Sequence, residues 1–144
     1  MEPSKSYPLL RKVDCIRLPV PDLDAGLAFY RDQLGHTPIW RTDSAVGLRM
    51  LDTDTEIVLH TEDMRQEIDF LVDSADAAAQ RFVQAGGKVL VEPFDIQIGR
   101  CVVVEDPFGN SLVLLDASKG LLKTDNQGNV TGNQSLSVKQ DEQF

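Results

Sequence analysis

The chain has 144 residues, 42% of them hydrophobic, with a formal charge of −9 and a pI near 4.5. That length suits one domain, or two small halves sharing a core. The acidic balance argues against a nucleic-acid partner, whose phosphates are bound by clustered Lys and Arg, and leaves a neutral or cationic ligand as the better match.

Residues 1–11 read as an N-terminal extension. They hold no run of seven apolar residues, and no stretch of the chain approaches the apolar length that crosses a bilayer. The expectation is a cytoplasmic protein without a membrane partner. From Val13, "VDCIRLPV" reads as a strand. "DLDAGLAFYRDQLG" then places Leu23, Leu27, Tyr30 and Leu34 at helical spacing, with Asp22 as N-cap and Gly35 just past the end. Three extended runs follow: "HTPIWRT", "AVGLRML" and "TEIVLHT".

The design returns from Glu67. "EIDFLV" reads as a strand, and "SADAAAQRFVQAGG" as a helix capped by Ser74, with Ala75, Ala78, Phe82 and Ala85 on one face and Gly86 and Gly87 closing it. The runs "KVLVEPF", "GRCVVVE" and "NSLVLLD" complete the second copy. From cap to closing glycine the distance is 35 − 22 = 13 in one copy and 87 − 74 = 13 in the other. Strand, helix and three strands, twice over, predict an α+β fold: two βαβββ modules, about 12–63 and 64–117, pairing into a curved mixed sheet around a cleft. Beyond Ala117 the composition shifts to Gly, Asn, Gln, Ser and Lys and periodicity fades. Residues 118–144 are therefore expected to form a flexible tail, a strand or lid folding back being the alternative.

Cys15 and Cys101 sit inside apolar strand-like runs rather than a spaced framework, so both read as buried thiols and not as a disulfide. The turn Asp106-Pro107-Phe108-Gly109-Asn110 is built from residues that suit it: Pro fixes φ, Gly tolerates positive φ, and Asn bonds its own backbone. The chain has no G-x-S-x-G elbow, phosphate loop or dinucleotide fingerprint, which leaves nucleophilic catalysis unsupported.

Taken together, "VPDLDAGLAFYRDQLG" and "VVVEDPFGNSLVLLD", separated by a helix ending in "QAGGKV", resemble the vicinal oxygen chelate superfamily of glyoxalase I, bleomycin-resistance proteins and extradiol dioxygenases. The resemblance covers about residues 12 to 117. For the metal-dependent members it implies four inward positions that hold the ion, one on the first and one on the last strand of each module. In this chain those positions fall on Cys15, Val58, Glu67 and Val113. Where the family places His, Gln or Glu, two valines offer no lone pair, so no metal cofactor is expected.

Period-two alternation puts Glu56 and His60 on the face of Val58, and Asp69 on the face of Glu67. A nonstandard zinc site from Cys15, His60 and Glu67 is the alternative to a metal-free wall, although His60, near a strand end, reads more simply as solvated. Arg17 shares the face of Cys15 and needs either a carboxylate, such as Glu67 or Asp69, or an anionic ligand group. Trp40 supplies a flat surface for a planar ligand or fills space under a helix. The expected ligand wall is thus Cys15, Arg17, Trp40, Val58, His60, Glu67, Asp69 and Val113.

Two functions fit this set. The favoured one is a metal-independent binding protein of the bleomycin-resistance type, sequestering a small aromatic or cationic compound in the inter-module cleft. The other is a divergent lyase, isomerase or dioxygenase with Glu67 as base, with or without a divalent metal. A homodimer is expected, since symmetric pairing is the simplest closure.

Overall fold

The computed structural model of the chain describes residues 7–134. Its elements run β1 (Lys12–Pro19), α1 (Leu23–Leu27, continuing as a π-helical turn over Ala28–Gln33), β2 (Pro38–Arg41), β3 (Ala45–Leu48) and β4 (Glu56–His60). The second copy runs β5 (Glu67–Leu71), α2 (Ala75–Gln84), β6 (Lys88–Asp95), β7 (Arg100–Glu105) and β8 (Ser111–Leu115), followed by β9 (Leu121–Thr124) and β10 (Val130–Gln134). The fold is α+β, with two βαβββ modules in one chain.

Both helices start where the sequence places their caps. The Asp22 carboxylate accepts from Ala25 N at 2.7 Å, and Ser74 Oγ accepts from Ala77 N at 3.1 Å. At the end of α1 the wider turn shows itself in the bond from Leu34 N to Phe29 O, at 3.0 Å. Slipping the apolar stripe by one residue has a cost: Leu23 and Leu27 are buried, but Leu34, expected on the same face, is 52% exposed.

Eight strands form one sheet in the order β2-β3-β4-β1-β5-β8-β7-β6. Within each module the first and last strands are parallel (β1 with β4, β5 with β8), and the modules join through the antiparallel pair β1–β5. Each helix covers one half of the same sheet face. Under α1 lie Leu23, Leu27, Val46, Leu48 and Leu59; under α2 lie Val72, Ala75, Ala78, Ala79, Val102, Val104 and Leu114. Burying these aliphatic side chains is the main source of stability, since each large one is worth about 1.5–3 kcal/mol against exposure.

Module 2 is pinned by a residue that no sequence motif marks. Asp116, 3% exposed, accepts from Ala75 N at 2.8 Å, Arg100 N at 2.9 Å and both Ser118 N and Oγ, at 3.1 and 2.7 Å. One carboxylate thereby ties the α2 N-terminus, β7 and the chain leaving β8. Burial alone would raise its pKa, but these four donors more than offset that and hold it below the ordinary carboxylate value.

The tail departs from expectation. Instead of a flexible segment, residues 121–134 form the antiparallel hairpin β9–β10; residues 135–144 lie outside the described residues. The reason is a second copy of the β7–β8 turn. Asp125-Asn126-Gln127-Gly128-Asn129 repeats Asp106-Pro107-Phe108-Gly109-Asn110: Asp125 Oδ1 accepts from Gln127 N and Asn129 N, both at 2.9 Å, as Asp106 Oδ1 accepts from Phe108 N at 2.8 Å and Asn110 N at 2.9 Å. Gly128 and Gly109 take the positive φ that each turn needs, 86° and 92°.

The hairpin also reports the curvature of the sheet. At its tip Arg41 N donates to Gly128 O at 2.7 Å, and at its open end Asn133 Nδ2 donates to Gln97 O at 2.8 Å and Gly120 O at 3.1 Å. Arg41 ends β2 and Gln97 follows β6, the two edge strands. A flat sheet of eight strands would hold its edges ~34 Å apart, whereas a five-residue strand reaches only ~17 Å, so the sheet must curl for the hairpin to touch both. Asn133→Ala, which removes both donations, is expected to lower stability by about 0.5–1.5 kcal/mol in urea melts and to speed amide exchange in residues 121–134 while leaving β1–β8 protected.

Candidate functional site

The sheet face opposite the helices carries the polar residues. Along the β1–β5 seam Cys15 is the register partner of Asp69, and Arg17 that of Glu67. On either side, β4 and β8 contribute Val58, beside Arg17, and Val113, beside Asp69. The counting from helix caps is consistent with this register: Cys15 and Glu67 each precede their cap by seven residues (22 − 15 and 74 − 67), and the two valines flank the residue two further on. Val58 and Val113 are therefore equivalent positions of the two modules.

Cys15 and Asp69 touch. The thiol lies 3.4 Å from Asp69 Oδ2, and both residues are 6% exposed. Asp69 Oδ1 is buried with no hydrogen-bond partner among the described residues. Burial, together with the neighbouring Glu67 carboxylate, pushes the Asp69 carboxyl up to about 8, against the opposing pull of the Cys15 contact and Arg17. The Cys15 thiol is itself driven far up, by burial first and then by the Asp69 charge. Burial likewise pushes Cys101 up to about 12, which leaves both cysteines as unreactive thiols near neutral pH.

Arg17 finds two carboxylates, and the nearer was not foreseen. Its guanidinium sits 2.8 Å from Glu62 and 3.8 Å from Glu67. Glu62 also accepts from Ser44 Oγ at 2.9 Å. It lies in the loop after β4, where alternation says nothing about direction, so no periodic signal marks it. Trp40 lies across Gly47, close enough that a Cβ at residue 47 would overlap the indole, and donates from Nε1 to Glu56 at 2.6 Å. It packs with Cys15, Ala45 and Val58. The ring fills space on this face rather than under a helix. Burial raises the Glu56 pKa in spite of that bond.

His60 is a correction. Expected as solvated, it is 2% exposed, with Nε2 3.1 Å from the Arg65 carbonyl and Nδ1 accepting from Glu62 N at 3.3 Å. That pairing assigns the proton to Nε2 and leaves neither nitrogen for a metal. Register also separates it from the seam: its β1 partner is Pro19, four residues and ~13 Å along the strand from Cys15. The set Cys15, His60 and Glu67 is not brought together, and among the described residues no group of three or more His, Cys, Asp or Glu is placed to hold an ion. The described residues of this seam do not fit a divalent metal.

A family model described as Glyoxalase/Bleomycin resistance protein/Dioxygenase superfamily matches residues 12–114. The chain belongs to this superfamily. Over 41 residues it is 51% identical to the protein named "Putative glyoxylase CFP32" in Mycobacterium bovis and Mycobacterium tuberculosis, a match spanning 28% of this chain and 16% of that one. Among solved structures, methylmalonyl-CoA epimerase from Mycobacterium tuberculosis superimposes with a TM-score of 0.61 at 18% identity, covering 77% of this chain and 91% of the epimerase. Homoprotocatechuate 2,3-dioxygenase from Brevibacterium fuscum does so with a TM-score of 0.59 at 21% identity, covering 93% of this chain and 41% of the dioxygenase. These likenesses show the fold shared by members of the superfamily. The 93% share cannot be reached without residues of the β9–β10 hairpin.

The Asp69 environment has a thermodynamic consequence. An unfolded aspartate titrates near ~3.9, so between about 4 and about 8 the folded chain holds a proton that the unfolded chain has lost. Stability must then fall as pH rises through that window, by at most ~1.4 kcal/mol per pH unit for this one group. Asp69→Asn removes the contribution, and its stability curve should be flatter than that of the wild type from pH 4 to 8. Parallel curves in denaturant titrations would mean that Asp69 is ionised in the folded protein.

Proposed function

We propose that the protein is a metal-independent small-molecule binding protein that holds a small aromatic or cationic compound in the cleft between its modules. The observation that carries this reading is the pair of equivalent valines, Val58 and Val113, at positions where the metal-dependent relatives implied by the resemblance place ligands. Beside them the seam supplies carboxylates in excess: Arg17 already has Glu62 and Glu67, while one oxygen of Asp69 has no partner among the described residues. A compound that brings apolar surface and a hydrogen-bond donor answers both features. A homodimer and a cytoplasmic location belong to the same proposal; no helix among the described residues is long and apolar enough to cross a membrane.

The second reading is a divergent lyase, isomerase or dioxygenase with Glu67 as proton acceptor. The adjacent Glu67 and Asp69 carboxyls favour it, since two such groups differing in burial can divide acid and base roles. Methylmalonyl-CoA epimerase among the similar folds makes proton transfer next to a carbonyl a reasonable reaction class to assay.

Metal content tests the metal independence of the first reading. The purified protein is expected to hold no stoichiometric zinc, nickel, manganese or iron, and a chelator should leave its melting point unchanged, because only a ligand that favours the folded state stabilises it by mass action. One equivalent of metal that disappears in Glu67→Ala would defeat the binding-protein reading. As the converse, Cys15→His combined with Val58→Glu and Val113→Glu should create a metal-dependent melting point, with Glu67 as the fourth donor.

A further inference from the structure

Strand register matches the two halves of the cleft residue by residue. In module 1 Trp40 pairs with Gly47, and Gly47 with Val58. In module 2 Val91 pairs with Val103, and Val103 with Val113. Trp40 therefore corresponds to Val91, and Gly47 to Val103. The halves are filled differently. An indole lies flat on the glycine in module 1, and Val58 beneath is 1% exposed. In module 2 Val91 and Val103 replace the ring and its seat, Val113 repeats the wall of Val58, and Val91 stays 48% exposed, with Phe94, on the same face opposite Cys101, 39% exposed. Where one half is packed by its own aromatic side chain, the other presents a partly exposed apolar strip.

The strip ends at the seam. Val113 is the register partner of Asp69, whose Oδ1 is buried without a hydrogen-bond partner among the described residues, and Glu67 lies two residues along the same strand face. Arg17, the cation nearest in register, is already held by Glu62 and Glu67. No donor among the described residues reaches this buried carboxyl oxygen, and a ligand that brings one would satisfy it. A donor arriving along a hydrophobic strip toward two acidic groups is best a cation with an apolar body.

We infer that module 2 carries a one-sided site for an arylalkylamine, its ring on Val91, Val103 and Val113 in the place that Trp40 takes in module 1, and its ammonium group against Asp69 and Glu67. This rests on the small-molecule reading and names the ligand class and the half of the cleft it uses. Module 1 contributes no ring-binding surface, because Trp40 occupies it. The ligand approaches from the side of the exposed Val91, and discrimination is by charge at the far end: a neutral alcohol of the same shape keeps the apolar contact but loses the ion pair, and a carboxylate meets repulsion.

Phenethylamine, phenethyl alcohol and phenylacetate, equal in shape and different in charge, test this by titration into the full-length protein, followed by calorimetry and amide NMR. The amine is expected to saturate, to shift the amides of Val91, Val103 and Val113, and to bind at least about tenfold more tightly than phenylacetate. In titrations above about pH 8, where Asp69 is ionised, Asp69→Asn should weaken the amine toward the level of the alcohol, with Glu67 left as the remaining acidic group. The double variant Val91→Trp with Val103→Gly copies the packing of module 1 and should abolish binding; Val91→Trp alone, at an exposed edge position, replaces it if the pair does not fold. Failure of the amine to saturate, phenylacetate binding as tightly, or shifts confined to β1–β4 would overturn the site. Phenylacetate held in the cleft independently of Val91 would overturn it while leaving small-molecule binding intact, whereas a stoichiometric, chelator-sensitive metal would defeat the broader reading instead.

Discussion

Antiparallel pairing sets residues opposite one another at ~4.5–5.5 Å, and β1 and β5 use it to place the polar residues of two modules in one row. Cys15 meets Asp69, and Arg17 meets Glu67, only because the first strand of each module is the inner edge of its sheet. The remaining architecture follows from that seam. The last strands β4 and β8 flank it in parallel, the helices are left to cover the other face, and the outer strands swing round until the β9–β10 hairpin touches both ends. A slip of one residue in this register would turn the whole polar row toward the helices.

A duplicated module need not keep both copies alike. The seam is nearly symmetric in backbone and unsymmetric in chemistry: Arg17 on β1 corresponds to Asp69 on β5, one cation and one acid at equivalent positions. Glu62, contributed by the inter-module loop, satisfies the cation. Nothing described satisfies the acid in the same way, so the unpaired acceptor lies on the β5 side of the seam.

The sequence carries the fold well because the fold rests on local signals. Ser74 and Asp22 cap, the apolar stripes bury, and the equal 13-residue spacings announce two copies before any contact is known. Alternation along β1, β4 and β5 also places Cys15, Arg17, Val58, Glu67 and Asp69 on one face. Three things escaped it for physical reasons. Glu62 and the partners of His60 belong to a loop, where no period applies. Trp40 lies on the cleft side because Gly47 makes room for it, a fact of two strands together. The hairpin answers to the alternative of a strand folding back, and its signal is a repeated turn: D-x-x-G-N occurs at both 106–110 and 125–129, and a turn that joins two strands once can be expected to do so again.

A carboxyl buried beside another carboxyl is poor structural engineering. If the seam served stability alone, an apolar residue at position 69 would pack against Cys15 and Val113 at no desolvation cost, since breaking or omitting partners of a buried ionisable group is what makes it expensive. Asp116 shows what this chain does with a carboxylate meant for structure: four donors surround it and lower its pKa. Asp69 has a weak thiol contact, the Glu67 carboxyl beside it, an oxygen with no donor among the described residues and a raised pKa. Two aspartates of similar exposure in one module thus behave in opposite ways, and the one left unsatisfied lies in the cleft. A local rule broken without compensation among the described residues is what a functional position looks like, and this one faces the seam that the proposed ligand would use.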